Sequence, residues 1–307
     1  MVTVVRAPNA SAMTLQGTNS YLLDCGNGEA VVIDPGPAIE THLAALVDAA
    51  AKRGLKIGTI LLTHGHPDHA SGAAQLAAAT GASVHAHPKS RIARDADLRL
   101  ESELNAGAIV LRTIDAPGHT FDHAIFYLEQ EGALFTGDTI LGEGTTVIAP
   151  PGGAMRPYQR TLQRLAEEFG NAAVIYGGHG PAVPDPRAKI GEYIAHRQMR
   201  EEQILAALGE RAMTIPDLVR RIYSPERQVL WPAMARQILA HLIALEEERR
   251  VASRRLDRAM TAEESAMLNP RIEELVGPEE AAVIVAELGT ELRLESLQEY
   301  ALVQGTR

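Results

Sequence analysis

Apolar positions in the first half of the chain come in short runs, and most runs close on glycine, proline or asparagine. Residues 2–5, 21–23 and 30–33 are strand-like segments separated by turns at Gly17 and at Gly26-Asn27-Gly28, which predicts an antiparallel start. Asp34-Pro35-Gly36 closes the third of them, and residues 39–51 then show helical spacing at Leu43, Leu46 and Val47. Residues 57–62 read as a buried strand, 72–79 as an Ala-rich helix ending at Gly81, and 83–86 as a returning strand. The charged stretch 91–104 fits neither period and is expected as a connection with a helical turn or two. Residues 108–114 are strand-like, 124–128 and 133–135 predict a hairpin across Glu131-Gly132, 158–169 an amphipathic helix and 173–176 a strand.

In the second half the period lengthens. Residues 187–208 predict one helix, with Ile190, Ile194, Ile204 and Leu208 available for packing and no internal proline. Lys189, Tyr193, Arg197 and Arg200 follow at intervals of four, four and three, so they share one helical face. That face reads either as a basic stripe able to steady a phosphate chain or as a solvated face paired with Glu192, Glu201 and Glu202. Thr214 caps a short helix with Pro216 in its first turn, residues 231–248 form a longer one, and Arg249-Arg250-Val251 follow, an order that suggests a winged-helix-like appendage. Beyond residue 258 the balance is acidic through Glu263, Glu264, Glu273, Glu274, Glu279 and Glu280, while 283–288 and 292–297 are apolar enough to fold. The expected organisation is a core at 1–186, a connecting helix at 187–208, the appendage at 209–258 and an extension at 259–307, for which a homodimer contact is the plainest guess.

Composition narrows the partners. The chain has 307 residues, of which 46% are hydrophobic and only 4% aromatic, so Ala, Leu, Val and Ile must fill the core. A formal charge of -10 supplies no global attraction to nucleic acid or to an anionic membrane. Cys25 is the single cysteine, which excludes an intramolecular disulfide and fits a reducing compartment. No signal-like segment or bilayer-length apolar run is present, so a cytoplasmic protein with no membrane partner is expected.

The chemistry concentrates at Thr63-His64-Gly65-His66-Pro67-Asp68-His69, directly after the strand 57–62. Three imidazoles and a carboxylate in six positions are costly to bury together unless a cation holds them. His64 and His66, two apart, can aim at one ion, with Asp68 and His69 offset toward a second position. The alternative is a His-rich surface loop. Three further strand-end turns carry ligand-type residues: His119 in Pro117-Gly118-His119-Thr120, Asp138 in Thr136-Gly137-Asp138, and His179 in Gly177-Gly178-His179-Gly180. Convergence of rigid elements on one point is the economical explanation. His123 and Asp122 read as partners of this cluster or as leaving-group donors, and a satisfied buried histidine fits His123 equally well.

These motifs resemble the metallo-beta-lactamase superfamily: THGHPDH at 63–69, GHT at 118–120, TGD at 136–138 and GHG at 178–180. The resemblance implies an α/β protein built as an αββα sandwich with two metals at one edge. It implies His64, His66 and His119 on the first metal, Asp68, His69 and His179 on the second, and Asp138 between them. Class B1 beta-lactamases carry a cysteine where Asp138 stands, so a dedicated antibiotic-hydrolysing enzyme is not expected. MTLQGTNSY at 13–21, GDTILGEGTTV at 137–147 and AKIGEYIAHRQMREEQIL at 188–205 resemble the beta-lactamase-like protein 2 group, which includes a zinc-dependent endoribonuclease for single-stranded RNA and, in fungi, thioesterases acting on carrier proteins.

The expected function is therefore a hydrolase holding two Zn2+, with manganese or iron possible, that generates a metal-bridging hydroxide and uses Asp68 to orient it. Single-stranded RNA is the leading substrate, with Lys189, Arg197 and Arg200 as candidate contacts. The alternatives are a thioesterase for acyl-carrier or CoA thioesters of the glyoxalase II kind, then a lactonase or promiscuous beta-lactamase. A metal-containing interaction module is the non-enzyme alternative, against which the complete set of seven ligand residues argues.

Overall fold

The computed structural model describes residues 2–269 and 297–303. Its elements run β1 (Val2–Arg6), β2 (Asn19–Asp24), β3 (Glu29–Ile33), α1 (Glu40–Ala51), β4 (Lys56–Leu61), α2 (Pro67–Ala70), α3 (Ala73–Thr80), β5 (Ser83–Ala86), β6 (Ala96–Asp97), β7 (Ser102–Ala106), β8 (Ile109–Asp115), β9 (Ala124–Leu128) and β10 (Ala133–Gly137). There follow α4 (Met155–Phe169), β11 (Val174–Gly177), α5 (Pro186–Glu210), β12 (Met213–Thr214), α6 (Ile215–Ile222), α7 (Trp231–Glu247), β13 (Val251–Arg255), α8 (Ala262–Leu268) and β14 (Gln298–Leu302).

Two sheets face each other. One has the order β1-β2-β3-β4-β5-β6 and the other β11-β10-β9-β8-β7. Alternation along the strands decides which side chain enters which layer. Leu23, Val31, Ile33 and Leu61 turn inward against Leu111, Phe126, Leu128 and Phe135 of the opposite sheet. Their neighbours Leu22, Val32 and Ile60 turn outward under Leu43, Leu46 and Leu76 of α1 and α3. On the far side Ile114, Ile125, Leu134 and Ile175 meet Tyr158, Leu162, Leu165 and Ile190 of α4 and α5. The result is the four-layer αββα sandwich.

The stretch 91–104 corrects the expectation of helical turns. It holds β6 and the start of β7, strands that lie at the edges of the two sheets. Edge strands bury little, so they need no apolar alternation and leave no periodic signal. The second half forms a fourth core, in which Leu218 and Val219 of α6, Ile238 and Leu242 of α7 and Val251 of β13 pack together. A capping box between Thr214 and Asp217 starts α6. A three-stranded sheet, β12-β14-β13, completes this winged-helix unit. Of the apolar runs at 283–288 and 292–297, all but Leu297 lie outside the described residues. Among the described residues no helix is long and apolar enough to cross a membrane.

A charged knot ties α4, α5 and the end of α7 together. Arg156 Nη1 donates to Glu201 Oε2 at 2.6 Å, Arg250 Nη1 to Glu201 Oε1 at 2.7 Å, and Arg156 Nε to Glu248 Oε1 at 2.6 Å. The His241 imidazole 3.9 Å away lowers the Glu201 pKa; burial opposes that effect, while Arg156 and Arg250 add to it, leaving the carboxyl far below the usual range. A depressed folded-state pKa stabilises above the unfolded value of about 4.3, and that gain is lost as pH falls from there toward the folded value. Glu201→Gln is expected to cost about 2 kcal/mol at pH 7, with the gap to wild type shrinking at pH 3. Urea melts of chelator-treated protein at both pH values measure it, and a gap that does not shrink would contradict this account.

Candidate metal centre

Parallel strands deliver their C-terminal ends to one edge of the sandwich, and the residues that follow them build the site. Asp34 follows β3, Thr63 and His64 follow β4, Asp138 follows β10, and His179 follows β11, while His119 lies on the connection from β8 to β9. The short helix α2 carries Asp68 and His69, with His66 at its N-cap. All seven candidate ligands from the sequence arrive at this edge. They form three overlapping groups, His64-His66-His119, His64-His69-Asp138 and Asp68-His69-His179, each with its ligand atoms within 4.8 Å of one another.

Asp34 reads in the sequence only as part of a turn, yet it sets the orientation of two imidazoles. It is 2% exposed and adopts φ 50°, a left-handed conformation unusual outside glycine. Its Oδ1 accepts from Thr63 N at 2.8 Å, and its Oδ2 accepts from Thr63 Oγ1 at 2.7 Å and from His69 Nδ1 at 2.8 Å. The Thr63 hydroxyl gives its proton to the bond with Asp34, so its oxygen accepts from His64 Nδ1 at 2.9 Å. His119 Nδ1 likewise donates to Val147 O at 2.9 Å. His64 and His119 thus hold the proton on Nδ1 and a lone pair on Nε2, and all three rings, tied at Nδ1, point Nε2 into the site.

Those lone pairs converge. His66 Nδ1 lies 2.9 Å from His64 Nε2 and 3.1 Å from His119 Nε2. Nitrogens sharing one tetrahedral ion at about 2.0–2.1 Å lie about 3.3 Å apart, so the spacing fits a common cation. In the second group His69 Nε2 is 3.3 Å from both Asp68 Oδ2 and Asp138 Oδ1, and His179 Nε2 is 3.4 Å from Asp68 Oδ2 and from Asp138 Oδ2. Asp138 Oδ2 is also 3.8 Å from His119 Nε2, so this carboxylate faces both groups. His69 Nε2 and Asp138 Oδ1 are buried and make no hydrogen bond among the described residues. Buried, orphaned donor atoms of the N and O type fit divalent metal ions.

Electrostatics separates the two halves. Burial pulls the His64 pKa well below the imidazole range, and the neighbouring rings of His69, His66 and His123 lower it further. Burial also lowers His69, yet Asp68, Asp138 and Asp34 lift it well above that range. Burial would raise Asp138, and His179 and His69 more than reverse this. The first half is a neutral imidazole pocket, and the second is rich in carboxylate charge.

Other side chains lock the candidate ligands. Thr18 Oγ1 takes a bond from Asn9 Nδ2 and donates to Asp68 Oδ2, both at 2.9 Å. Asn19 is 2% exposed and donates to Gly177 O and Gly180 O, clamping the turn that carries His179. His123 is fully buried, stacks on His64 with ring centres 4.9 Å apart, and accepts from Asp138 N at 3.2 Å. His123 has a signal in its spacing from His119, whereas Asp34 and Thr18 have none.

The basic stripe is corrected. Lys189, Tyr193, Arg197 and Arg200 do share a face of α5, but most of that face points inward. Arg197 is 1% and Arg200 9% exposed. Arg200 stacks on Tyr223 and donates to Gln203, and Lys189 pairs with Glu192 at 3.1 Å. Helical spacing groups residues on a face without saying which way it faces, and packing of Ile190 and Tyr193 into the core turned this one in.

Similarity to known proteins agrees with this geometry. The metallo-beta-lactamase superfamily matches residues 13–179, and the beta-lactamase associated winged helix domain matches residues 214–258. The chain is 34% identical over 258 residues to the beta-lactamase-like protein 2 homolog of Drosophila melanogaster, covering 78% of this chain and 86% of that protein. It is 32% identical over 255 residues to an atrochrysone carboxyl ACP thioesterase of Aspergillus chevalieri, covering 76% and 79%. The crystal structure of a metallo-beta-lactamase family protein from Thermus thermophilus superposes with a TM-score of 0.69 at 27% identity, covering 82% of this chain and 95% of that one. The chain belongs to the metallo-beta-lactamase superfamily of metal-dependent hydrolases and carries that superfamily's associated winged helix domain.

Proposed function

We propose that the cluster binds two divalent ions, zinc first among them, and hydrolyses an ester-type bond with water as the nucleophile. The observation that carries this reading is the convergence of His64, His66 and His119 beside Asp68, His69 and His179, with Asp138 facing both groups. Imidazole-rich donors suit zinc, and the carboxylates leave room for manganese or iron. Bound there, such ions supply Lewis-acid activation of water and charge stabilisation at the electrophile and the leaving atom. The chain's own contribution is orientation. Thr18 fixes the Asp68 carboxylate, which turns the attacking water and takes up its proton.

Single-stranded RNA is the first substrate to test, on similarity to the beta-lactamase-like protein 2 group. A thioester is the second, because a relative is named as an acyl-carrier thioesterase and because burial of Arg197 and Arg200 removes most of the face that was to hold phosphates. Zinc-loaded protein is incubated with labelled single-stranded RNA and, separately, with an acyl-CoA, beside chelator-treated protein. Metal-dependent cleavage of the RNA supports the first reading, and turnover of the thioester alone supports the second. Failure of both by protein holding two metals per chain would leave the substrate outside these classes.

A further inference from the structure

We propose that Arg197 is a positioning residue for the metal centre, through which the helical layer under the winged helix domain holds two of the ligands in place. The inference rests on the reading of the cluster as a metal site, and it concerns the loop that follows Asp138.

The loop after β10 leaves Asp138 and runs to Ile148, and helix side chains hold it at successive points. Tyr158 of α4 donates its hydroxyl to Thr139 O at 2.7 Å, and Leu141 N donates to the Tyr193 hydroxyl of α5 at 2.9 Å. Arg197 Nη2 donates to Thr146 O at 2.7 Å and to Thr145 Oγ1 at 3.0 Å. Ile148 N donates to Gln237 Oε1 of α7 at 3.1 Å, so the winged helix domain reaches the same loop.

Two of these loop residues lead straight into the site. Thr146 Oγ1 donates to Asp138 O at 2.7 Å, and Val147 O receives the Nδ1 proton of His119. Arg197 holds the carbonyl between them. Its effect on His119 is orientational, because a shift of Val147 O turns the ring whose Nε2 faces the ion.

Arg197 is an unfavourable way to pin a loop, which is why a structural role alone does not account for it. Arg197 is 1% exposed. It is held over the rings of Tyr158 at 5.1 Å and Tyr193 at 6.0 Å, and among the described residues its acceptors are carbonyl and hydroxyl oxygens rather than a carboxylate. Burying an unneutralised cation costs several kcal/mol, so a methionine of similar length would serve packing better. What methionine lacks is a donor rigid enough to fix the Thr146 carbonyl and the Thr145 hydroxyl together.

The test uses full-length protein loaded with cobalt(II), whose ligand-field bands report the geometry of the site without any substrate. Arg197→Met is expected to alter those bands and weaken cobalt affinity about 10- to 100-fold, the usual effect of losing a partner of a ligand. Arg197→Lys is expected to restore part of both. Should Arg197→Met not fold, Thr146→Val carries the test, since it removes the bond to Asp138 O, along with the hydroxyl's contacts to Tyr158 and Tyr193, while leaving the carbonyl that Arg197 holds, and it is expected to move the bands in the same direction. With a substrate in hand, kcat falls and KM does not. Unchanged bands and affinity in these variants overturn the inference, and so does a raised KM with kcat and bands intact, which would make Arg197 a substrate contact. Wild-type protein that takes up no cobalt fails the metal reading itself, a distinguishable result.

Discussion

Replacing Asp68 by alanine is expected to lower turnover at least about 1000-fold, or about 4 kcal/mol in the barrier, while metal remains bound. The persistence of metal follows from the site's division. His64 and His119 keep their own supports at Thr63 and Val147, neither of which passes through Asp68, and His66 stays beside them. The second half keeps His69 on Asp34, and His179 and Asp138 on each other. What is lost is a carboxylate, 3% exposed, held by Thr18 beside both His69 and His179. Asp34 cannot replace it, because both of its oxygens are already committed to Thr63 and His69. Metal analysis together with steady-state rates decides the matter, and full activity with metal intact would sink the mechanism.

Gly178→Ala is expected to empty the second half of the site with little loss of fold. Gly178 has ordinary backbone geometry, so the substitution itself introduces no φ strain. The obstacle is space: an added Cβ would sit 2.3 Å from Asp138 Oδ1 and 2.5 Å from His69 Cε1. Neither side chain can step aside freely. His69 is tied to Asp34, and the Asp138 backbone is tied to His123 and Thr146. The methyl group therefore pushes two candidate ligands apart, and a displacement near 1 Å costs about 100-fold in rate. Expected are a metal content reduced toward one ion per chain, at least a loss of about 100-fold in turnover, and a destabilisation of about 1–3 kcal/mol. Gly191→Ala is the control. That glycine lies in α5 with nothing within 4 Å of its added Cβ, and the change is expected to stabilise by up to about 1 kcal/mol. Wild-type metal content in Gly178→Ala would show that the turn yields instead.

Most of the sandwich and the seven candidate ligands are legible in the sequence because both are local signals. Strand alternation at Leu22-Leu23 and Val31-Val32-Ile33 sorts side chains between layers without knowledge of the partner layer. A ligand residue directly after an apolar run announces itself in the same way, since a strand end is a rigid place to mount it. His64 to His69, His119, Asp138 and His179 all follow that rule.

Tertiary packing decided the rest. Asp34 is an ordinary turn residue until β3 and β4 lie side by side and bring Thr63 and His69 to its two oxygens. Gly178 is one glycine among 26 until the Asp138 turn closes over it. β6 and β7 carry no period because edge strands have one side without a partner strand. Arg197 shows the division most plainly. Helical spacing alone places it on one face with Tyr193 and Arg200, but only the docking of α5 on the core determines that this face turns in and meets the loop from Asp138. Periodicity is a property of one segment, whereas burial is a property of two, and that is why the chain states its candidate ligands and leaves their supports to the fold.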